Sequence, residues 1–489
     1  MKAVMRQRPF CAARPAVRLR RAHLVGIAGS GMRALAEYLR DAGWVVSGSD
    51  SGASTRALRR LASVGISARP RHAADHVRSD TDLLVYSPAV GEENAERRAA
   101  RELGIEELSY PQMLGRLTQN HPALVVTGTH GKSTTCAMVA SILQAAGCDP
   151  SVVMGAERQP DGRSGWKGDG RWLVVEGCEY REAFLNLEPQ VAVVLNVDLD
   201  HVDCFSDRAA VEAAFRRFVE RVPEDGWLVA PCTTPLRDVL RAATSAQVQT
   251  FSPRVGSPPT EDSRAWWAAD VRCGREGVRF RLFCGESFVT DVFCGLWGRH
   301  NVINAVAAAA VAASVGARGV DIREGLAAFE GIKRRLELVG YWRGVTLIDD
   351  YAHHPAEVCA TLSAVRQRFG RRRVWVGFQP HQIGRAQRWV REFAAALRGV
   401  HHVFVVPAFP ARECGPDVAQ QAASVSRRLV AALRAEGQSC GFEPSLDRLV
   451  ATLDDALQVG DVLVTMGAGD ITKVPYEFVG RLSRNRAAG

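Results

Sequence analysis

Residues 125–135 read VVTGTHGKSTT and join a strand end, a glycine-rich turn and the start of a helix. The apolar run at residues 123–126 predicts a buried parallel strand. Apolar residues at helical spacing follow Lys132 and stop near Gly147, and glycine favours the end of a helix. A strand, a glycine turn and a helix that starts with Gly-Lys-Ser together predict a phosphate-binding loop.

Residue types in this loop indicate a nucleotide site. Backbone N–H groups and the helix N-terminus face an anion, the Lys132 ammonium adds a positive charge, and the Ser133 hydroxyl is a common Mg²⁺ ligand. Gly128 and Gly131 stand closer together than the two glycines of the general G-x-x-x-x-G-K-[ST] pattern. The flanking strand and helix agree with that pattern, so we predict an enzyme that uses ATP.

Length and composition bound the architecture. The 489 residues are enough for roughly three domains, and 47% hydrophobic and 24% charged residues are ordinary values for globular protein. The net charge is +9, but the basic residues are scattered along the chain, which does not favour a nucleic-acid partner. An anionic small-molecule substrate fits this charge equally well.

Cysteine spacing and apolar runs indicate the compartment. The 12 cysteines are spread singly without a C-x-x-C pair, which argues against a zinc site or a disulfide framework and for a reducing cytosol. No run approaches 18 apolar residues, so we expect no membrane span and a cytoplasmic protein. Residues 1–21 are rich in arginine and lack the apolar segment of a secretory signal, so we expect a disordered basic extension.

A second glycine motif opens the first predicted domain. Residues 23–32 read HLVGIAGSGM and predict a strand that turns into a helix. The next strand ends at Asp50, at about the spacing expected for a contact to ribose. Ala28 stands where the dinucleotide fingerprint has its second glycine, so the motif is weak support for NAD. A later strand ends near Ser87 at the same edge of the sheet.

Polar residues follow two further strands of the predicted second domain. Glu176 and Glu179 follow one buried strand, and Asp200 and His201 follow another. Because open α/β sheets bind ligands at the carboxyl ends of their strands, we expect these side chains to converge on Lys132. Carboxylate, imidazole and phosphate oxygen together form a reasonable shell for a divalent metal ion.

Three more clusters come later in the chain. Asn301 and Asn304 lie one helical turn apart at the start of an alanine-rich helix, which favours a role in holding a purine, although helix capping could explain one of them. A strand runs into DDYAHHP at residues 349–355, and another runs into FQPH at residues 378–381 with Arg385 close behind. Adjacent histidines after a strand, preceded by two aspartates, favour a site over a plain surface position.

Taken together, these motifs resemble those of the Mur ligase family, the ATP-dependent amide-bond ligases of peptidoglycan precursor synthesis. The resemblance extends from about residue 23 to residue 479, and the motifs follow one another in the family's order. They are GTHGKST at 128–134, Asn196 with Asp200-His201, GRHN at 298–301 with Asn304, and DYAHHP at 350–355.

Within the family, four segments look most like the branch that adds L-alanine to UDP-N-acetylmuramate. These segments are HLVGIAGSGM at 23–32, GSD at 48–50, FQPH at 378–381 and TMGAGD at 465–470. The reaction implied by the resemblance activates the lactyl carboxylate of the UDP-sugar with ATP as an acyl phosphate, which the amino group of L-alanine attacks. Mg²⁺ is the implied cofactor, ATP is a substrate, and the implied state is a monomer or a homodimer.

The resemblance also implies an α/β fold of three domains, each an open, mostly parallel sheet with helices. We expect a Rossmann-like domain at residues 22–119 for the UDP-substrate and a central P-loop ATPase domain at residues 120–332. A second Rossmann-like domain, for the amino acid, is expected at residues 333–489, with the basic extension at residues 1–21.

The implied site residues fall into groups. The implied ATP contacts are Gly128, Thr129, His130, Gly131, Lys132, Ser133, Thr134, Asn301, Arg335 and Asp350. The implied metal ligands are Ser133, Glu176 and His201. The implied contacts to the UDP-substrate are Gly29, Ser30, Gly31, Asp50 and Ser87. The implied catalytic residues are Lys132, His201, His353 and Arg385, the last two near the incoming amino acid.

Departures from the family pattern leave other functions open. Gly177-Cys178 replaces the usual Ala-Asp, Gln382 stands where an arginine is usual, and Ala28 replaces a glycine. One alternative is a ligase that attaches recycled L-alanyl-γ-D-glutamyl-diaminopimelate to the same UDP-sugar. Another is a catalytically silent member that only binds the UDP-sugar. An NAD-dependent oxidoreductase is a third, against which Ala28 and the second nucleotide loop both argue.

Overall fold

Strands and helices alternate along almost the whole chain in the computed structural model, which describes residues 19–198, 204–233, 236–411 and 413–487. Residues 1–18 of the predicted extension lie outside the described residues, as do Asp200 and His201. The chain divides into two compact units, Met1–Tyr110 and Pro111–Gly489. Among the described residues, no helix has both the length and the apolar character that crossing a membrane requires.

A five-stranded parallel sheet forms the first unit, with the strand order β3-β2-β1-β4-β5. The strand order reverses beside β1, which is where open α/β sheets form a ligand-binding crevice. The elements are β1 Arg21–Val25, α1 Ser30–Asp41, β2 Val45–Ser49, α2 Thr55–Ser63, β3 Ser67–Arg69, a 3₁₀ turn Ala74–His76, β4 Leu83–Tyr86, α3 Ala95–Glu102 and β5 Glu106–Ser109.

The second unit contains two sheets, of which the first has ten strands in the order β15-β14-β13-β12-β11-β10-β6-β9-β7-β8. Its centre is parallel, and β13, β14 and β15 form an antiparallel extension. Its elements are α4 Tyr110–Asn120, β6 Ala123–Thr127, α5 Lys132–Ala145, β7 Ser151–Val153, β8 Gly165–Trp166, β9 Leu173–Glu176, a 3₁₀ segment Tyr180–Asn186, β10 Pro189–Val194, α6 Arg208–Val219, β11 Trp227–Pro231, α7 Leu236–Ala242, β12 Gln247–Phe251, β13 Trp266–Cys273, β14 Val278–Cys284, β15 Ser287–Cys294, α8 Arg299–Ser314 and α9 Gly319–Ala328.

The other sheet of the second unit has six strands in the order β16-β17-β21-β18-β19-β20, and only the edge strand β16 is antiparallel to its neighbour among these described strands. Its elements are β16 Glu337–Trp342, β17 Val345–Asp350, α10 Pro355–Phe369, β18 Val374–Phe378, α11 Ile383–Arg388, α12 Val390–Ala396, β19 His402–Val405, α13 Val418–Ala435, β20 Cys440–Phe442, α14 Leu446–Ala456, β21 Val462–Met466, a 3₁₀ turn Asp470–Thr472 and α15 Lys473–Ala487.

These three sheets confirm the predicted fold class of open, mostly parallel α/β sheets. Strands β6, β17 and β18 at the centres of the two sheets of the second unit are fully buried and mostly apolar, although β17 ends in two aspartates. The domain boundaries predicted at residues 119–120 and 332–333 stay predictions.

The helix that follows the phosphate-binding loop is packed tightly on nearly every side. Most of α5 is buried, and α8 beside it carries a run of buried alanines at residues 307–310. Helix α9 also packs closely against α5, since a Cβ added at Gly325 of α9 would lie 2.4 Å from the Cα of Ile142 in α5. The Ser141 hydroxyl donates to the Gly325 carbonyl at 2.7 Å. The position of α5 is therefore set by backbone contacts.

Replacing Gly325 by alanine tests this packing. Alanine is favoured over glycine by about 1 kcal/mol in a helix interior, but overpacking a tight contact costs about 1–3 kcal/mol. We expect Gly325→Ala to lower the midpoint of denaturant-induced unfolding, because the Cβ meets backbone at 2.4 Å. In the matched control Gly480→Ala in α15, where a Cβ would meet nothing within 4 Å, stability should be unchanged or higher. Equal stability of the two variants would contradict the packing argument.

Candidate functional site

The predicted phosphate-binding loop lies between β6 and α5 at the carboxyl edge of the ten-stranded sheet. Gly128 and Gly131 adopt φ angles of +136° and +86°, which glycine reaches without steric cost. At Gly131 there is also no room for a side chain, because a Cβ would lie 2.6 Å from Oδ1 of Asn304. Both glycines are therefore needed for the turn, and Gly131 is also needed for the close approach of α8.

The charged group of the loop is Lys132. Its Nζ donates to the carbonyl oxygens of Gly128 and Thr129 at 2.6 and 3.1 Å, and lies 3.1 and 3.0 Å from the two carboxylate oxygens of buried Glu179. Burial alone would lower the pKa of the ammonium, but Glu179 holds that pKa above its usual value. The loop therefore keeps a positive charge where the phosphates of a nucleotide would bind.

Oxygen donors suitable for a divalent cation stand next to this lysine. The Ser133 hydroxyl donates to Oε2 of Glu176 at 2.8 Å, and the same oxygen accepts the Gly155 N–H at 2.7 Å. Ser133 lies in the first turn of α5 and Glu176 ends β9, so the structure brings the two together at the strand ends. Hydroxyl and carboxylate oxygens are the donors that Mg²⁺ prefers, and these residues fit it. His201, the third predicted ligand, lies outside the described residues.

A cavity of about 230 Å³ opens beside the loop, between α8 and α10. It gathers seven of the predicted nucleotide contacts in one place. They are His130, Gly131, Ser133, Thr134, Asn301, Arg335 and Asp350. The other side chains around it include His300 and Glu357, which were not predicted. The cavity and the phosphate-binding loop form one continuous candidate nucleotide site.

Asn301 and Asn304 are buried side by side in this wall, and capping does not explain them. The Asn301 amide donates to the Trp297 carbonyl at 2.8 Å and accepts from the Asn304 amide at 3.2 Å. The helix is preceded by Gly298, which makes no side-chain cap. The pair therefore holds the α8 start in a fixed orientation towards the cavity.

Asp350 is the carboxyl group that ends β17 and lines the same cavity. Its two oxygens accept the backbone N–H groups of Leu336 at 2.6 Å and Ala352 at 2.8 Å. Burial raises the pKa of Asp350 to about 6, and the nearby Arg335 guanidinium opposes that rise. Asp350 is thus a partly protonated acceptor at mildly acidic pH.

The predicted amino-acid contacts lie at another part of the six-stranded sheet. His353 follows β17 and Arg385 lies in α11 after β18, so the two stand on either side of β21. The Nδ1 of His353 lies 3.0 Å from the Tyr351 carbonyl, and its ring is 5.6 Å from that of His381. Arg385 is 4% exposed, with its guanidinium 5.9 Å from the Trp389 ring. Their roles towards an amino acid stay predictions.

In the first unit, the predicted UDP contacts gather at the switch point of the sheet. Asp50 accepts the Ala28 N–H at 3.0 Å, so its carboxylate holds the glycine loop in place. Gly26 has a φ of +82°, and a Cβ there would lie 2.9 Å from the Cβ of Ser87. A Cβ at Gly31 would lie 2.8 Å from Tyr110. Gly29 is the N-cap of α1, and Ser30 is the first residue of that helix.

Sequence reasoning missed two carboxylates that are centres of polar contacts. Glu96 is buried in the first unit, where it accepts from the Ser49 hydroxyl, lies 2.7 Å from Nδ1 of His76 and lies 3.4 Å from Nε2 of His23. Burial would raise the pKa of Glu96, but these partners lower it to about 2. The other is Glu357, which occupies the third position of α10. A glutamate at this position is common in capping boxes, and this is the signal that the sequence contained.

Fold and site together define a P-loop nucleotide-binding protein with three α/β sheets. Matches to known families cover nearly the whole chain. The Mur ligase family catalytic domain matches residues 21–122, the Mur ligase middle domain matches residues 126–312, and the Mur ligase glutamate ligase domain matches residues 334–469. The chain therefore belongs to the Mur ligase family.

Individual relatives are similar over their full lengths. The UDP-N-acetylmuramate–L-alanine ligase of Acetivibrio thermocellus is 34% identical over 459 residues, which cover 94% of this chain and 95% of that protein. The protein of the same name from Mycobacterium sp. is 38% identical over 476 residues, 95% of each chain. The crystal structure of UDP-N-acetylmuramate-alanine ligase from Thermotoga maritima has a TM-score of 0.79 and 25% identity, covering 95% of this chain and 99% of that one.

Nucleotide affinity should fall as the pH drops through about 6, because the Asp350 carboxyl, whose pKa is raised, becomes protonated there and is a poorer acceptor. An Asp350→Asn variant should bind ATP about 10-fold more weakly and with a flatter pH dependence. Calorimetric titrations of both proteins with ATP test this, since the difference between the two curves cancels the titration of the ATP phosphates.

The control is Asp349→Asn. Asp349 is a described residue outside the cavity lining, and its oxygens accept from the Thr465 and Thr472 hydroxyls. This variant should keep the pH dependence of the natural protein. If Asp350→Asn keeps it as well, another group is responsible for the titration.

Proposed function

We propose that the chain joins L-alanine to the lactyl carboxylate of UDP-N-acetylmuramate and converts ATP to ADP and phosphate. The observation that carries this proposal is the full-length similarity, at 34–38% identity, to ligases named for that reaction. The intact phosphate-binding loop and the cavity beside it support an active enzyme rather than a silent member. ATP and UDP-sugars are cytoplasmic metabolites, so the proposed reaction takes place in the cytoplasm.

The chemistry explains why the enzyme needs a nucleotide. A carboxylate does not form an amide directly, because hydroxide is a poor leaving group. Transfer of the γ-phosphoryl group of ATP to a carboxylate oxygen releases ADP and gives an acyl phosphate. The amino group of L-alanine then attacks the acyl carbon, and phosphate leaves with the C–O electron pair. The protein has to position the reactants and neutralise the charge that develops.

Each part of the site has a proposed task in this sequence. Lys132 and the N–H groups of its loop hold the β- and γ-phosphates, because a buried ammonium stabilises transferring negative charge. Asn301 and Asp350 hold the adenine and the ribose, and Arg335 binds the nucleotide from the six-stranded sheet. In the first unit, Gly29, Ser30, Gly31, Asp50 and Ser87 hold the UDP end of the sugar substrate.

Ser133 and Glu176 would hold Mg²⁺, with His201 as a further proposed ligand. When bound, Mg²⁺ neutralises negative charge on the phosphate oxygens. At the acceptor end, the Arg385 guanidinium is suited to bind the carboxylate of the amino acid through two parallel hydrogen bonds. His353 is proposed to lie near the amino group.

Phosphate release is the measurement that tests the proposed reaction. With ATP, Mg²⁺ and UDP-N-acetylmuramate, we expect release to be fastest with L-alanine among L-alanine, glycine, L-serine and L-alanyl-γ-D-glutamyl-diaminopimelate. In Lys132→Ala, release should fall by at least about 10²- to 10³-fold, because the charge of the transferred group loses its counter-ion. Release only with the tripeptide would identify a recycling ligase, and release by Lys132→Ala at the natural rate would disprove the role of the loop.

The proposed metal site is tested separately. Glu176→Gln should raise the Mg²⁺ concentration needed for half-maximal phosphate release by about 10-fold or more, because a carboxylate ligand is replaced by a weaker amide oxygen. The matched control is Glu182→Gln. Glu182 lies in the 3₁₀ segment that follows β9, and its carboxylate pairs with Arg217 at the surface. Identical Mg²⁺ titrations of the Glu176→Gln, Glu182→Gln and natural proteins would remove Glu176 from the metal site.

A further inference from the structure

We propose that Glu357 is a positioning residue of the ligation, holding the phosphate-binding loop and His353 in a fixed relation to each other. Glu357 lines the nucleotide cavity and contacts His130 in the phosphate-binding loop and His353 after β17. The inference rests on the proposed function, because it assumes that the phosphate-binding loop binds ATP and that His353 lies near L-alanine. It is carried by three observations on the geometry of the carboxylate.

The first observation is that the Glu357 side chain does not cap its own helix. His354 is the N-cap of α10, and its Nδ1 accepts the Ala356 N–H at 3.2 Å. Pro355 occupies the first helical position and has no N–H to satisfy. A glutamate in the third helical position often bonds back to the N-cap N–H. Here Oε2 of Glu357 instead accepts the N–H of His353, at 3.1 Å.

The second observation is that the Glu357 carboxylate has partners from two sheets. Oε1 lies 3.1 Å from Nδ1 of His130 in the phosphate-binding loop and 3.6 Å from the Arg335 guanidinium. Oε2 contacts His353, lying 3.1 Å from its backbone nitrogen and 3.3 Å from its Nδ1. One carboxylate therefore connects the loop that follows β6 with the segment that follows β17.

The third observation concerns where the histidine protons lie. Glu357 accepts at Nδ1 of His130, and the Tyr351 carbonyl accepts at Nδ1 of His353 at 3.0 Å, so both rings carry a proton on Nδ1. The Nε2 of His130 is buried and makes no hydrogen bond to any described residue.

Charge at this position is well supported. Burial alone would raise the pKa of the Glu357 carboxyl, but His353, His130 and Arg335 around it hold that pKa well below its usual range. The side chain of Glu357 is 12% exposed, so its contacts are only weakly screened by water. A charged, buried acceptor with several donors orients those donors more strictly than a neutral one.

The variant that isolates this role is Glu357→Gln. Glutamine has nearly the same shape, but only its amide oxygen accepts, so it can serve either the pair His130 and Arg335 or the His353 N–H, and not both. We expect the dissociation constant for ATP and the KM for L-alanine both to rise by about 10- to 100-fold, because the loop and His353 lose their common partner. Glu357→Asp keeps the charge but is one methylene shorter, and it should also be impaired at one end.

The matched control is Asp461→Asn. Asp461 is also a buried carboxylate in the six-stranded sheet, held by Arg373 at 2.8 Å and by the Trp375 indole at 3.0 Å, and it is a described residue outside the cavity lining. This variant should lower the unfolding midpoint and leave both substrate constants unchanged. If Glu357→Gln behaves like this control, or if Glu357→Asp has natural constants, the positioning role is wrong.

Two further measurements keep the inference testable. If Glu357→Gln does not fold, ¹⁵N spectra of the histidines in the natural protein decide, since a proton on Nε2 instead of Nδ1 of His130 and His353 would overturn the assignment. If the natural protein does not ligate L-alanine, the proposed function fails. ATP binding by the variants would still test the loop contact, where unchanged affinity in Glu357→Gln would overturn the inference.

Discussion

A glycine turn between a central strand and a buried helix is the constraint on which this structure depends. The loop from β6 to α5 turns through positive φ angles at Gly128 and Gly131, which glycine adopts without steric cost. Since α5 is buried among α8, α9 and the sheet, the loop cannot move without disturbing the core. The approach of Asn304 to Gly131 then sets where α8 begins, and with it the cavity wall.

Ion pairs between buried side chains also stabilise the arrangement of the site. The buried charges pair with one another, Lys132 with Glu179 and Arg335 with Glu357, and breaking such a pair without replacement costs about 3–5 kcal/mol. The Lys132–Glu179 pair connects two loops of the ten-stranded sheet, whereas the Glu357 contacts join the two sheets of the second unit. The Glu357 contacts therefore help to fix how these two sheets pack, and the Lys132–Glu179 pair does not.

The sequence was informative where function depends on local pattern. The periodicity of apolar residues locates the strand ends, the Gly-Lys-Ser turn and the position of Glu176. Because polar residues at the ends of parallel strands meet at one edge of a sheet, the fold class and the contact between Glu179 and Lys132 could both be predicted. Glu357 could not, because its partner His130 is 227 positions away and the contact exists only once two sheets pack. Nor could the sequence show that Asp50 binds the Ala28 N–H or that Asn301 binds a carbonyl instead of capping its helix.

The structure shows where each departure from the family pattern lies relative to the site. Gly177 packs where a Cβ would lie 2.9 Å from Cγ1 of Val125, and Cys178 precedes the carboxylate that pairs with Lys132, so this substitution belongs to the phosphate end of the site. Ala28 is bound through its backbone, which any residue type supplies. Of these departures, only Gln382 lies near the residues proposed to bind the amino acid. It has a φ of +61°, and its N–H donates to the Phe409 carbonyl at 2.8 Å. A non-glycine residue with a positive φ is strained, and this strain lies in the turn beside the residues proposed to bind the amino acid.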